Sequence, residues 1–193
     1  MRYTNRFSRT SLMLSLFLVL TAMATSGQAP ERMTIEATAK GTSTQMGKLF
    51  NVKILIESFS TPDDRKTLID AFARSGQEGL VDVLEKMKGK GRISTPWGVG
   101  NQIKYIFELP PEKGQRHLRL VTDRRMTVAE TFAGTRSEEY SVAAVELFLT
   151  PDGKGSGTLL PACRLTVNKK KQQIEIETFQ NPWELTNFIN DKK

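Results

Sequence analysis

Cysteine and histidine occur once each in these 193 residues, as Cys163 and His117. A single cysteine excludes any internal disulfide. One of each cannot build a four-ligand zinc site. A Cys-His nucleophile pair would have to use both. A Ser-His-acid triad would have to recruit His117, and no G-x-S-x-G elbow presents a serine. Cys163 alternates with Leu165 and Val167, the pattern of a small core residue on a strand. No cofactor or metal is expected. Long apolar runs are also missing. The run at residues 12–20 falls well short of the roughly 20 residues that a spanning helix needs. No stretch interleaves basic and aromatic side chains as a single-strand nucleic-acid groove does, so no nucleic-acid partner is expected.

Acids are absent from the first 24 residues, while Arg2, Arg6 and Arg9 lie there. The apolar run follows, and Ala22-Met23-Ala24 then offers small residues at −3 and −1. This is the layout of a secretory signal peptide. Gly27-Gln28-Ala29 is a second cleavage candidate, with Pro30 after the cut. The expected organisation is therefore residues 1–24 as signal peptide (alternatively cut after 29) and residues 30–193 as a single domain. The expected location is periplasmic or extracellular, with no transmembrane segment after cleavage. No cysteine near the cut is available for a bacterial lipid anchor. The formal charge is +7; without the three arginines it is 25 basic against 21 acidic residues, +4. That is ordinary solubility charge.

Residues 140–149, 159–167 and 173–179 are apolar-rich runs joined by two turns rich in Gly, Asn and Asp, and predict an antiparallel three-strand meander. Upstream, residues 34–39 and 49–59 read as strands. Phe50, Val52, Ile54 and Ile56 share one face by period two. Thr61 suits a helix N-cap and Pro62 the first helical position, with Asp63 and Asp64 at the positive end of the dipole. Leu68, Ile69 and Phe72 form one stripe, which Gly76 ends. Leu80, Val81, Leu84 and Met87 form a second. A helical hairpin is expected. Residues 102–109 and 116–122 predict a β-hairpin around Pro110 to Gly114, 127–132 a short strand, and 183 onward a short helix or tail. The expected fold is α+β: a largely antiparallel β-sheet of about six to eight strands with a helical hairpin packed on one face.

The order of short motifs carries a resemblance. It runs S-T-P-D-D-R (60–65), G-R-I (91–93), T-D-R (122–124) and A-E (129–130). It continues through Y-S-V (140–142) and D-G-K-G-S-G (152–157) to I-E-I-E (174–177). The chain resembles a family of uncharacterised exported bacterial proteins with no assigned activity. The resemblance implies export and one α+β domain, and carries no catalytic residue with it.

Candidate sites are few. Asp152 to Gly157 has one carboxylate and a lysine where a calcium loop has several acids, and reads as a hairpin turn. Lys169-Lys170-Lys171 reads as a solvated turn tip. Glu175 and Glu177 alternate with Ile174 and Ile176 on the wet side of a half-buried strand. Glu146 shares a side with Val142, Ala144 and Phe148, where a carboxylate is less at ease. In the 102–122 hairpin, a symmetrical five-residue loop would set Tyr105 against Arg119. A one-residue slip would instead put Leu118 and Leu120 with Tyr105 and Phe107 in the core. In that register Arg119 and Asp123, with Arg124, form a polar outer patch suited to an anionic group on a partner.

Three functions fit. The preferred one is a non-enzymatic exported domain binding an envelope or extracellular protein or ligand. The others are a hydrolase using strand carboxylates and arginines, and a carrier of an apolar ligand. N-terminal sequencing of the exported protein should begin near Thr25 or Pro30; a cytosolic protein starting at Met1 would remove the export reading.

Overall fold

The computed structural model describes residues 32–126, 140–180 and 182–192. Its strands are β1 (Met33–Gly41), β2 (Leu49–Ile56), β3 (Gly91–Ser94), β4 (Asn101–Glu112) and β5 (Gln115–Thr122), followed by β6 (Val142–Leu149), β7 (Gly155–Asn168), β8 (Gln173–Gln180) and β9 (Trp183–Lys192). Among the described residues one α-helix, α1 (Pro62–Lys86), lies between β2 and β3. Every strand pairing is antiparallel. The order is β6-β5-β4-β3-β2-β1-β9-β7-β8, and β6 also pairs with β7. Eight strands thus close on themselves, and β8 is added along the far half of β7.

Period two fills the ring. Met33, Ile35, Ala37 and Ala39 of β1 point inward, as do Phe50, Val52, Ile54 and Ile56 of β2. Leu118, Leu120, Val145, Leu147, Leu159, Trp183 and Leu185 are among the residues that join them in the core. An eight-stranded barrel is just wide enough for its own side chains to occupy it. Here Phe50 and Trp183 meet edge to face, with centroids 4.7 Å apart.

A second apolar cluster lies outside the ring. Leu68, Leu80 and Leu84 of α1 cover Tyr105, Val121, Val142, Ala144, Leu160, Cys163 and Leu165. Strands β4 to β7 are therefore buried on both faces, which is why β6 reads as a continuous apolar run. The helix begins as its sequence predicts. The Thr61 hydroxyl accepts from the Asp64 N–H, and the Asp64 carboxylate accepts from the Thr61 N–H at 2.8 Å, a capping box with Pro62 behind it. At the other end Lys104 Nζ donates to the Glu85 and Met87 carbonyls, at 3.2 and 2.9 Å. A cation at the negative end of the dipole also satisfies carbonyls that the helix leaves over.

Three expectations are overturned. The sheet is not open but a closed barrel with one extra strand, and the fold is mostly β. The helical hairpin is instead one helix broken at Ser75 and Gly76, where Gly76 takes φ 60°. The helix resumes at once, with no connecting loop, and Gln77 Oε1 accepts from the Leu165 N–H at 3.0 Å, next to a register shift in the β7–β8 ladder. The break thus docks the helix on the barrel. The expected tail is β9, the strand that closes the ring against β1. Its apolar spacing is Trp183, Leu185, Phe188, because an extra residue at Asn187 breaks the period of two. The three-strand meander forms as β6, β7 and β8. The expected strand at 127–132 and the leader lie outside the described residues.

Gly157 sits where β6 and β7 come close. A Cβ there would lie 2.5 Å from the Glu146 carbonyl oxygen and 3.1 Å from Leu147 Cδ2. Backbone has to move to admit it. Gly157→Ala should cost about 1–3 kcal/mol in urea unfolding; an unchanged midpoint would contradict this close approach.

Candidate functional site

Two of the concave places in the described surface stand out. The larger, about 450 Å³, lies on the outside of β1 and β2. Its floor carries the ion pair Lys53–Glu36 at 3.0 Å, in which both side chains are more than half exposed. Such a pair contributes little and leaves no group unsatisfied. The smaller, about 350 Å³, is the mouth of the barrel where β1 begins and β9 ends. Although smaller, it has the more distinctive chemistry.

Met33 and Leu149, both core residues, form the apolar wall of the mouth, with Pro111 and Pro151 beside them. Arg116 and Glu108 face each other across the β4–β5 hairpin. Nε donates to Oε1 at 2.9 Å and Nη2 to Oε2 at 3.0 Å, a bidentate pair. The same guanidinium lies 5.1 Å from the centroid of the Phe59 ring. Asn190 completes the lining. Its amide nitrogen and oxygen are both shut off from solvent, and neither has a hydrogen-bond partner among the described residues. A buried amide left this way costs on the order of 1–3 kcal/mol per group.

The bulge in β9 places Asn190 there. Trp183 and Leu185 point inward. Between the pairs Thr38–Thr186 and Glu36–Ile189 the β9 strand carries one residue more than β1. Asn187 takes φ 54° at that point, a left-handed conformation that asparagine tolerates better than most residues. Beyond it the parity reverses: Phe188 packs on the core and Ile189 is exposed. Asn190 follows on the inner side, at the mouth. The sequence alone hides this, because strict alternation from Trp183 would send Asn190 outside. Glu108 and Arg116 were likewise not singled out, since their contact depends on the hairpin register.

That register differs from both sequence expectations. The turn is Lys113-Gly114, both at positive φ, between Glu112 and Gln115. The pairs then run Leu109–His117, Phe107–Arg119 and Tyr105–Val121. Leu118 and Leu120 enter the barrel with Ile106, while Tyr105 lies outside under α1 and Phe107 packs beside it. Both faces of β4 are apolar, so matching one face could not fix the register.

The proposed patch is accordingly divided. Arg119 is on the outer face but largely covered. Nε and Nη2 donate to Glu146 Oε1 at 2.8 and 2.5 Å, and Nη1 donates to the Ile174 carbonyl at 2.8 Å. This pair explains the carboxylate on an otherwise apolar side of β6. Asp123 and Arg124 lie past the end of β5, 3.4 Å apart, where Arg124 is exposed. Arg119 is thus a structural tie between β5, β6 and β8, and only Arg124 of the three presents an open charge.

His117 and Cys163 carry no nucleophile. Burial pushes the Cys163 thiol up to about 12, far from a thiolate at neutral pH. His117 stacks on Phe148 at 4.3 Å, and its Nε2 lies 3.8 Å from Glu146 Oε2. Burial holds its pKa below the usual 6.5, although the Glu146 charge acts the other way. Burial is the largest effect, and the nearby Arg119 charge acts in the same direction. Among the described residues no cluster of three His, Cys, Asp or Glu is placed to hold a metal, and no helix is long and apolar enough to cross a membrane. No protein family, curated protein or solved structure matches the chain.

Two predictions follow from this outer-face cluster. Arg119→Ala should destabilise by about 3 kcal/mol, since it strands a covered carboxylate and a carbonyl; a change within 0.5 kcal/mol would show that water replaces the guanidinium. For His117, the unfolded chain binds its proton first as pH falls. Stability should therefore drop as pH goes down through 6.5 and level off below the depressed folded value. Urea midpoints between pH 8 and pH 5 should show this (a range above ordinary carboxylate titration), and His117→Gln should flatten the curve.

Proposed function

We propose that the protein is an exported, non-enzymatic binding domain acting in the periplasm or outside the cell, and that it takes a small ligand at the mouth of its barrel. The order of arginines, apolar run and Ala22-Met23-Ala24 supports export. The observation that carries binding is Asn190, which lines a cavity of about 350 Å³ and whose donor and acceptor, both turned away from solvent, have no partner among the described residues, so that a ligand would engage them by turning the amide into the cavity. Cavities that hold small molecules are mostly apolar with a few oriented polar groups. Met33, Leu149, Pro111 and Pro151 supply the apolar part. Arg116 and Glu108 are engaged with each other, so the mouth offers them as a neutral pair. The ligand that fits is small, largely apolar and uncharged, with a donor and an acceptor side by side, as in an amide or a lactam.

The other readings have less support. The described interior is filled by buried side chains, which leaves no room inside the barrel for an apolar ligand. The strand carboxylates are engaged: Glu146 with Arg119, Glu177 with Arg164 at 3.0 Å, and Glu175 with Asn168 at 3.0 Å.

Native mass spectrometry of the protein purified from its own host tests the reading. A small molecule should remain bound to the wild type and be lost from Asn190→Leu. The same substitution should raise stability by about 1 kcal/mol, because it removes unsatisfied buried groups. A ligand-free wild type, or an Asn190→Leu protein that is less stable, would count against the mouth as a binding site.

A further inference from the structure

The end of the barrel opposite the mouth is built differently. Here β1 passes to β2 through residues 42–48, and β3 to β4 through residues 95–100. The large apolar side chains at these two loops are unusually open: Met46 is 79% exposed, Leu49 63%, Trp97 53% and Val99 82%. They are not loosely attached. The Trp97 ring lies 5.6 Å from Phe50, which in turn meets the buried Trp183. Trp97 is therefore the outer member of an aromatic stack that runs into the barrel.

Three carbonyls of the 95–100 loop accept hydrogen bonds. Arg92 Nη1 donates to the Val99 carbonyl at 2.7 Å, and Gly98 N–H to the Thr95 carbonyl at 3.4 Å. Arg124 Nη2 lies 3.5 Å from the Gly100 carbonyl. Asn101 Nδ2 donates to the carbonyls of Arg124 and Arg125, at 2.9 and 3.0 Å, and so holds the arginine segment beside the loop. Each carbonyl bonded in this way lowers the cost of bringing the loop into a medium of low polarity.

Among the described residues the rim is cationic. Lys48, Arg92 and Arg124 are all exposed; Lys48 precedes Leu49 in the chain, Arg92 bonds Val99 and Arg124 lies beside Gly100. Of the described acids near this end, Asp123 is 3.4 Å from Arg124, and Glu184 lies opposite Lys40 in the β1–β9 ladder. Apolar and aromatic side chains projecting from two loop tips inside a basic rim are complementary to a soft, anionic interface. A protein partner would need a cleft shaped to receive them.

We propose that this end docks on the surface of an anionic lipid bilayer, with Trp97, Val99, Met46 and Leu49 entering the headgroup boundary and Lys48, Arg92 and Arg124 facing lipid phosphates. The proposal does not depend on the mouth, which lies at the other end of the barrel.

The chain has two tryptophans. Trp183 is fully buried, so quenching by lipid reports Trp97. The experiment uses the full chain and vesicles of phosphatidylcholine brominated on its acyl chains, alone or mixed equally with phosphatidylglycerol. Residues 12–20 can themselves partition into bilayers, so the reading is taken at Trp97 and not from sedimentation alone. Quenching should appear with the anionic vesicles, weaken with salt and vanish in Trp97→Phe. Val99→Asp should reduce partitioning by about tenfold. Lys48→Gln and Arg124→Gln should each reduce it by about fivefold at low salt. Near-ultraviolet circular dichroism should confirm that these surface variants keep the barrel. Protein that sediments with vesicles while Trp97 stays unquenched would overturn the proposal, since the leader alone would then be inserted. Equal quenching in neutral vesicles would overturn the role of the cationic rim. Absence of binding to either vesicle would overturn the proposal outright.

Discussion

The ladder between β9 and β1 is the constraint on which the rest of the molecule depends. It joins the last described strand to the first, from Met33–Lys192 to Gly41–Trp183. A short contact of β9 with Gly157, Thr158 and Leu159 of β7 completes the circuit. Without it the sheet would have two unsatisfied edges and an open apolar face. With it, the inward residues of every strand meet a common centre, and the barrel needs no disulfide to hold them.

Closure also decides which residues face which medium. A ring has an inside and an outside, and α1 shields only part of the outside. Strands β4 to β7 lie under it and are apolar on both faces, whereas β1 and β2 carry Glu36, Lys40, Lys53 and their like outward. The charged side chains that fall under or beside the covered sector have partners to match. Arg119 has Glu146 and the Ile174 carbonyl. Lys104 has the end of the helix. Lys90 has Asp64 at 2.9 Å. These are the groups that would be most costly to leave unpaired.

What was legible in the sequence follows from this geometry. Alternation was plain in β1 and β2, where one face is wet, and the helix start was plain because Thr61, Pro62 and Asp64 act within one turn. The meander was plain from its turns. The register of β4 against β5 was not, because both faces are apolar and the deciding contacts come from α1. Gly76 was read as a terminus, since a break and an end look alike locally; docking of Gln77 on β7 distinguishes them. Strand β9 was missed because Asn187 interrupts its period. The same bulge hid Asn190, so the strand that completes the fold and the residue that marks the mouth were lost together. Arg119 was read as part of a recognition patch on the outer face; it lies on that face, but it is covered by its pairing with Glu146, which is visible only across the ladder.

The position of β9 in the chain has a bearing on biosynthesis. A polypeptide emerges from its N-terminus, and β1 is among the first strands to appear. Its partner on one side, β2, follows within a few residues, but its partner on the other side is the last of the described strands. Contacts between the two span almost the whole domain, so the entropy of joining them is met late and the route to the native state is intrinsically slow. Until then β1 offers an unpaired edge of alternating apolar residues, Met33, Ile35, Ala37 and Ala39, to any other strand in reach. For a nascent or translocating chain that edge is the point at which a holding chaperone would be most useful, and at which self-association between unfinished copies would begin.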